Sequence, residues 1–151
     1  LDNEGYEAVV EYSTEEVSVL YEGASEYVQK MHSRTELWGR LPFEGKPLET
    51  IDTELLAYIQ QFQPKEKAAW MGGNSIRLDR DFSEIFLPKM FNHLHYRSMD
   101  VSSFAGLIEH KYGYEFPKAT THDAMDDIRE SIAQLKDFQQ FFFLIYAKIR
   151  G

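Results

Sequence analysis

The amino-acid order predicts an α/β fold, a mixed sheet with helices on its faces and one long C-terminal helix. Three observations point to it. Runs rich in β-branched and aromatic residues fill the first third of the chain, and helical and extended patterns alternate after residue 50. From Asp123 to Ile149, apolar side chains recur at steps of three and four over about seven turns.

Tyr6–Ser13 and Glu16–Glu22 read as strands, with the polar pair Thr14–Glu15 as a hairpin turn between them. Ser25–Met31 is a third extended run. Residues 33–49, punctuated by Gly39, Pro42, Gly45 and Pro47, read as irregular loop. A helix then begins near Thr50, carries Leu55, Leu56, Ile59 and Phe62 at helical spacing, and is closed by Pro64. Lys67–Met71 reads as a short buried strand and Asp81–His93 as a helix kinked at Pro88. Arg97–Val101 reads as a strand, Ser102–Tyr112 as a helix stopped by Gly113, and Asp123–Ile149 as the long amphipathic helix.

Composition narrows the function classes. The 151 residues fit one domain, 43% are hydrophobic, and 15% are aromatic, which supplies a core and excludes global disorder. No apolar run approaches the roughly 18 residues of a membrane span; the longest is Phe141–Ala147. Without cysteine there are no disulfides, thiolate zinc sites or cysteine nucleophiles, which fits the cytoplasm and the mitochondrial matrix equally. Sixteen basic against 25 acidic residues leave a net charge of −9, which opposes a long nucleic-acid groove. A very short nucleotide, or one whose charge is met by bound metal, remains compatible. The chain begins at Leu1 without methionine, as a processed product or a fragment would.

Three stretches carry candidate chemistry. Thr121-His122-Asp123-Ala124-Met125-Asp126-Asp127 opens the long helix, where acidic residues complement the helix dipole; His122 could serve as a general base and Asp127 as a metal ligand. Gly72-Gly73-Asn74-Ser75-Ile76-Arg77-Leu78-Asp79 reads as a strand-to-helix turn, with glycines supplying positive φ and Asp79 capping the helix. Asn74 and Ser75 there offer donors beside a carboxylate at a strand end. His95-Tyr96-Arg97-Ser98-Met99-Asp100-Val101-Ser102 reads as an edge strand with an exposed polar start.

Together these stretches resemble the oligoribonucleases, small 3′-to-5′ exoribonucleases of the DEDDh class with an RNase H-like fold. The resemblance runs from about Trp70 to Phe141, through GNSIRLDRDF, HYRSMDVS and THDAMDDIRESIAQL, in the family's order. It implies metal-binding roles for Asp79 and Asp127 and a water-activating role for His122. Asn74, Ser75, His95, Tyr96, Arg97 and Ser102 become the substrate-binding candidates. Ser75, Arg97 and Ser102 fall where the family contacts the terminal phosphate, and Tyr96 matches a tyrosine that the family's homodimer brings to the neighbouring site. The implied cofactor is a divalent metal, Mg²⁺ or Mn²⁺, and the implied partner is short single-stranded RNA.

The family's first acidic pair, Asp-x-Glu on the sheet's first strand, has one match in letters, Asp2-Asn3-Glu4, preceded by Leu1 alone. A second alignment sets Leu1-Asp2 just after that motif and leaves the first strand and its two carboxylates outside this chain. Two functions follow. One is a homodimeric exoribonuclease on short RNA, with a two-metal mechanism and a histidine base. The other is a catalytically degenerate, exonuclease-like subunit with a structural role in a larger complex, which the apolar run at Phe141–Tyr146 would suit. DNA in place of RNA is a further option, because 2′-OH recognition is not legible in these residues.

Overall fold

The computed structural model describes residues 5–116 and 124–150; in the last helix, side chains are described to residue 144 and at 146. Two compact units divide the chain, one formed by residues 1–69 and 81–94, the other by 70–80 and 95–151.

In the first unit, residues 5–12 form no helix or strand, and one isolated bridge ties them down. Val10 makes a parallel bridge to Lys46, with Glu11 N–H donating to the Lys46 carbonyl at 3.0 Å and Lys46 N–H donating to Val9 at 2.8 Å. Gly45 is required there, since a Cβ would sit 2.4 Å from the Glu11 Cα. The expected hairpin is absent, and Thr14–Gly23 forms helix α1. Ser13-Thr14-Glu15-Glu16 is a capping box: Ser13 Oγ accepts from Glu16 N–H, and the Glu16 carboxylate accepts from Ser13 N–H at 2.8 Å. That reciprocal cap starts a helix despite the β-formers Val17, Val19 and Tyr21.

The third expected strand is likewise helix α2 (Glu26–Arg34), capped by Ser25. The expected loop contains helix α3 (Leu37–Glu44). Trp38 anchors α3, meeting Tyr21 and His32 edge-on and donating its indole N–H to the Gln29 carbonyl at 3.2 Å.

Helix α4 (Leu48–Phe62) agrees with the sequence reading. The stretch expected as one kinked helix is two, α5 (Arg77–Phe86) and α6 (Pro88–His93), with Pro88 opening the second. Asp52 of α4, 2% exposed, caps α6 by accepting the N–H groups of Lys89 and Met90 at 2.9 and 2.8 Å. Val9, Leu41, Ile51, Met90 and Leu94 are the buried apolar residues of this unit.

The second unit holds the described sheet, in which β1 (Met71–Gly73) pairs in parallel with β2 (Ser98–Asp100). The β1 strand shares only Met71 with the expected Lys67–Met71, and Lys67 has a positive φ of 58°. Helix α7 (Val101–Tyr112) follows β2 directly and ends as expected at Gly113, with φ 65° and its N–H donating to Glu109. Helix α8 (Ala124–Arg150) is the long C-terminal helix. Val101, Ile108 and Phe138 form a core between α7 and α8, with Ala105, Leu135 and Phe141 packed around it. Phe143 and Leu144 remain 68% and 62% exposed, so this helix carries more apolar surface than the unit buries. No helix among the described residues is long and apolar enough to cross a membrane.

Candidate active site

Parallel pairing brings the ends of β1 and β2 level. Gly73 is in register with Asp100, so the chain leaves both strands at one edge, where open α/β sheets place their ligands. Asp100 organises this edge. Its Oδ1 accepts the N–H of Ser75 at 3.1 Å, the N–H of Ser102 at 3.0 Å and the Ser102 hydroxyl at 2.5 Å. These donors hold the Asp100 pKa below its ordinary value, the Ser102 hydroxyl contributing most. The two serine hydroxyls stand 3.5 Å apart. Ser75 adopts φ 56°, the left-handed region, so the positive φ expected at Gly72 or Gly73 falls on a serine instead.

The opposite ends of the same strands carry a second cluster. Trp70 precedes β1, and His95, Tyr96 and Arg97 precede β2. His95 stacks between Trp70 at 5.5 Å and Tyr96 at 4.4 Å. The Arg97 guanidinium lies over both the Trp70 and Tyr96 rings, at 5.9 and 5.5 Å. Arg97 N–H donates to His95 Nδ1, and Arg97 Nε donates to the Tyr96 hydroxyl at 3.1 Å.

The expected substrate residues therefore divide. Ser75 and Ser102 come together, whereas His95, Tyr96 and Arg97 sit at the other end of strands whose rise is about 3.3 Å per residue. The Arg97 guanidinium rests on the Trp70 and Tyr96 rings and not at the two serines.

Asp79 and Asp127 line a common cavity of about 740 Å³, with Gly73, Asn74, Met99 and Ser131 among its other walls. Asp79 lies in the first turn of α5 rather than at its cap, and Asp127 in the first turn of α8. Asn74 shares that lining. Its Nδ2 donates to Ser131 Oγ at 2.9 Å, and its buried Oδ1 has no hydrogen-bond partner, so the amide presents an unmet acceptor. Two carboxylates and an amide oxygen are hard donors that fit Mg²⁺ or Mn²⁺. Among the described residues no three His, Asp or Glu side chains gather as a metal site. His122, Asp2 and Glu4 lie outside the described residues.

Asp100, Ser131 and Trp70 are not among the site candidates that the sequence motifs name. Asp100-Val-Ser102 at a strand-to-helix junction is an N-cap pattern, and Ser131 lies one turn after Asp127 on α8; both were legible signals.

The exonuclease family model matches residues 25–135, well over half of the chain. An oligoribonuclease of Ectopseudomonas mendocina (strain ymp) is 36% identical over 123 residues, covering 80% of this chain and 68% of that protein. The chain belongs to the oligoribonuclease family. An oligoribonuclease of Francisella tularensis subsp. novicida (strain U112) is 37% identical over 77% of the chain and 65% of its own length. The mitochondrial oligoribonuclease of Saccharomyces cerevisiae is 34% identical over 87% of the chain and 49% of its own length. The chain thus spans between about half and two thirds of these oligoribonucleases. Membership implies an RNase H-like α/β fold, of which the described residues present the parallel pair, its helices and the long C-terminal helix.

Proposed function

We propose that this chain is a 3′-to-5′ exoribonuclease of short RNA, with its reaction in the crevice beyond Gly73 and Asp100. The observation that carries this reading is the meeting of Ser75 and Ser102, from two parallel strands, at one carboxylate in the unit whose cavity Asp79 and Asp127 line. The Ser102 hydroxyl gives its proton to Asp100, whereas the Ser75 hydroxyl makes only a long bond of 3.5 Å to Ser102 and is the one that can turn its proton to a terminal phosphate oxygen.

Asp79 and Asp127 would hold Mg²⁺ or Mn²⁺, with Asp2 and Glu4 as the letter match for the pair a second metal needs. Such metals, when bound, supply charge to the phosphodiester oxygens and acidity to water. His122 takes the proton of the attacking water on a ring nitrogen. Tyr96 and Arg97, which precede β2 at the other end from Asp100, serve the site of a second copy in a homodimer. The whole chain then acts as one exonuclease-like domain in the cytoplasm or mitochondrial matrix, and the name of the yeast relative favours the latter.

The exposed Phe143 and Leu144 favour one second reading, an exonuclease-like subunit held in a larger complex. Hydrolysis of a 5′-labelled RNA dinucleotide with Mn²⁺, compared with His122→Ala, separates the two. Turnover that vanishes in the variant supports the exoribonuclease. A well-folded chain with no turnover contradicts it and leaves the subunit reading.

A further inference from the structure

Where β1 and β2 begin, Trp70 is the one member of the ring cluster that comes from the first strand, whereas His95, Tyr96 and Arg97 are consecutive. Pairing of Met71 with Ser98 sets the residues just before them, Trp70 and Arg97, side by side. Both ring contacts described between the two segments end on Trp70. Its indole stacks on His95 at 5.5 Å and 22°, and the Arg97 guanidinium lies 5.9 Å from its centre. His95 carries this order to Tyr96, stacked at 4.4 Å and 29°. His95 Nδ1 accepts from Arg97 N–H at 2.9 Å, which sets the rotation of the imidazole between the two larger rings. Arg97 Nε then donates to the Tyr96 hydroxyl at 3.1 Å, and its guanidinium covers the Tyr96 ring at 5.5 Å. Tyr96 is nonetheless 71% exposed. A side chain so open to solvent ordinarily exchanges between rotamers, and ordering it on binding costs free energy. A ring on one side and a cation on the other meet that cost in advance.

We infer that Trp70 is a positioning residue: by stacking on His95 and seating Arg97, it holds Tyr96 and Arg97 in the arrangement they present to the site of a second copy. The inference rests on the proposed homodimeric site. Trp70 acts through its three neighbours and not on the substrate.

Hydrolysis of an RNA dinucleotide in Mn²⁺ tests it, by variants alone and in equal mixtures that exchange subunits. Trp70→Ala is expected to lower kcat/KM about 10-fold, mainly through KM, the scale of one lost ring pair and one lost cation–π contact. Trp70→Phe, which keeps a ring, should stay within about threefold of wild type. Should Trp70→Ala fail to fold, Trp70→Leu, apolar and without a ring face, takes its place. Mixing Trp70→Ala with Asp127→Ala should raise turnover from about one twentieth to about a quarter of wild type, because each mixed dimer joins one chain's Asp127 to the other chain's Trp70. Mixing it with Arg97→Ala should bring no rise, since both changes damage the same half of the shared site. A partner chain does not cure a packing defect inside the Trp70 variant's own fold. Arg97→Ala with Asp127→Ala is the reference. If the reference recovers and the Trp70→Ala mixture with Asp127→Ala does not, or if Trp70→Ala is as active as wild type, the inference is overturned and the shared site stands. Recovery between Trp70→Ala and Arg97→Ala overturns it as well. A reference that forms mixed dimers without recovery removes the shared site and the inference with it, and a wild-type chain without turnover removes the exoribonuclease too.

Discussion

The Asp100 carboxylate accepts the backbone N–H of Ser75 at 3.1 Å, tying the loop after β1 to the start of α7. The same oxygen caps α7 through Ser102, so one side chain closes the helix and sets the edge of the crevice. Asp100→Ala removes a cap and several charge-assisted hydrogen bonds and is expected to cost about 1–3 kcal/mol of stability. Urea unfolding followed by circular dichroism measures this, and an unchanged midpoint would count against Asp100 as the organiser.

The sign of the pH effect follows from the depressed pKa of Asp100. The unfolded carboxyl binds protons more readily than the folded one, so its contribution is fully present above the ordinary carboxylate pKa and disappears as pH falls through the lower folded value. Asp100→Asn, which keeps the shape without the charge, should therefore differ most from wild type at neutral pH. The gap should close in acid, below the ordinary carboxylate range. Stability curves of the two proteins at several pH values would show this convergence, and a gap that persists unchanged into acid would refute it.

Ser75 holds a left-handed backbone that glycine adopts without strain. Ser75→Gly is expected to leave stability unchanged or raise it by about 0.5–1 kcal/mol, while lowering hydrolysis of short RNA through the lost hydroxyl. Melting temperature and kcat/KM measured together test this, and parallel losses in both would assign Ser75 to structure alone.

Asp52 is almost fully buried and satisfies two N–H groups at the start of α6. Asp52→Ala orphans both and is expected to destabilise the first unit by about 2–3 kcal/mol, with Asp52→Asn milder. Hydrogen exchange at Met90 N–H would report it directly, as faster exchange in the Ala variant.

Tyr96 and Arg97 lie at the end of the sheet opposite Ser75 and Ser102. If they serve a second copy, Arg97→Ala and Asp127→Ala, each inactive alone, should regain up to about a quarter of wild-type turnover when mixed, since random pairing leaves half the dimers mixed, each with one complete site. Mixtures that stay inactive while forming mixed dimers would remove the shared-site arrangement.

Much of the second unit was legible in the sequence, because its elements carry strong local signals. The apolar spacing from Ile128 to Phe138 defines α8, and Gly113 stops α7. The first unit was not. Val17, Val19 and Tyr21 suggested a strand, but the Ser13–Glu16 capping box and the Ser25 cap nucleate helices that β-propensity alone would not predict. Pro88 read as a kink, whereas Asp52, distant in sequence, caps a new helix there. For the site, the motifs named Asp79, Asp127, Ser75 and Ser102. Only the strand register showed that Arg97 belongs to the other end, and only the Ser131 hydrogen bond showed which end of the Asn74 amide lacks a partner.

The most direct test of the crevice as the reaction site is the rate of RNA dinucleotide hydrolysis in Mn²⁺ for wild type, Asp79→Asn and Asp127→Asn. Both aspartates are exposed, so neither change should unfold the chain. Each variant is expected to lose about 100-fold or more in kcat/KM with its melting temperature within a few degrees of wild type. Variants that hydrolyse the dinucleotide as fast as wild type would contradict the assignment of this cavity.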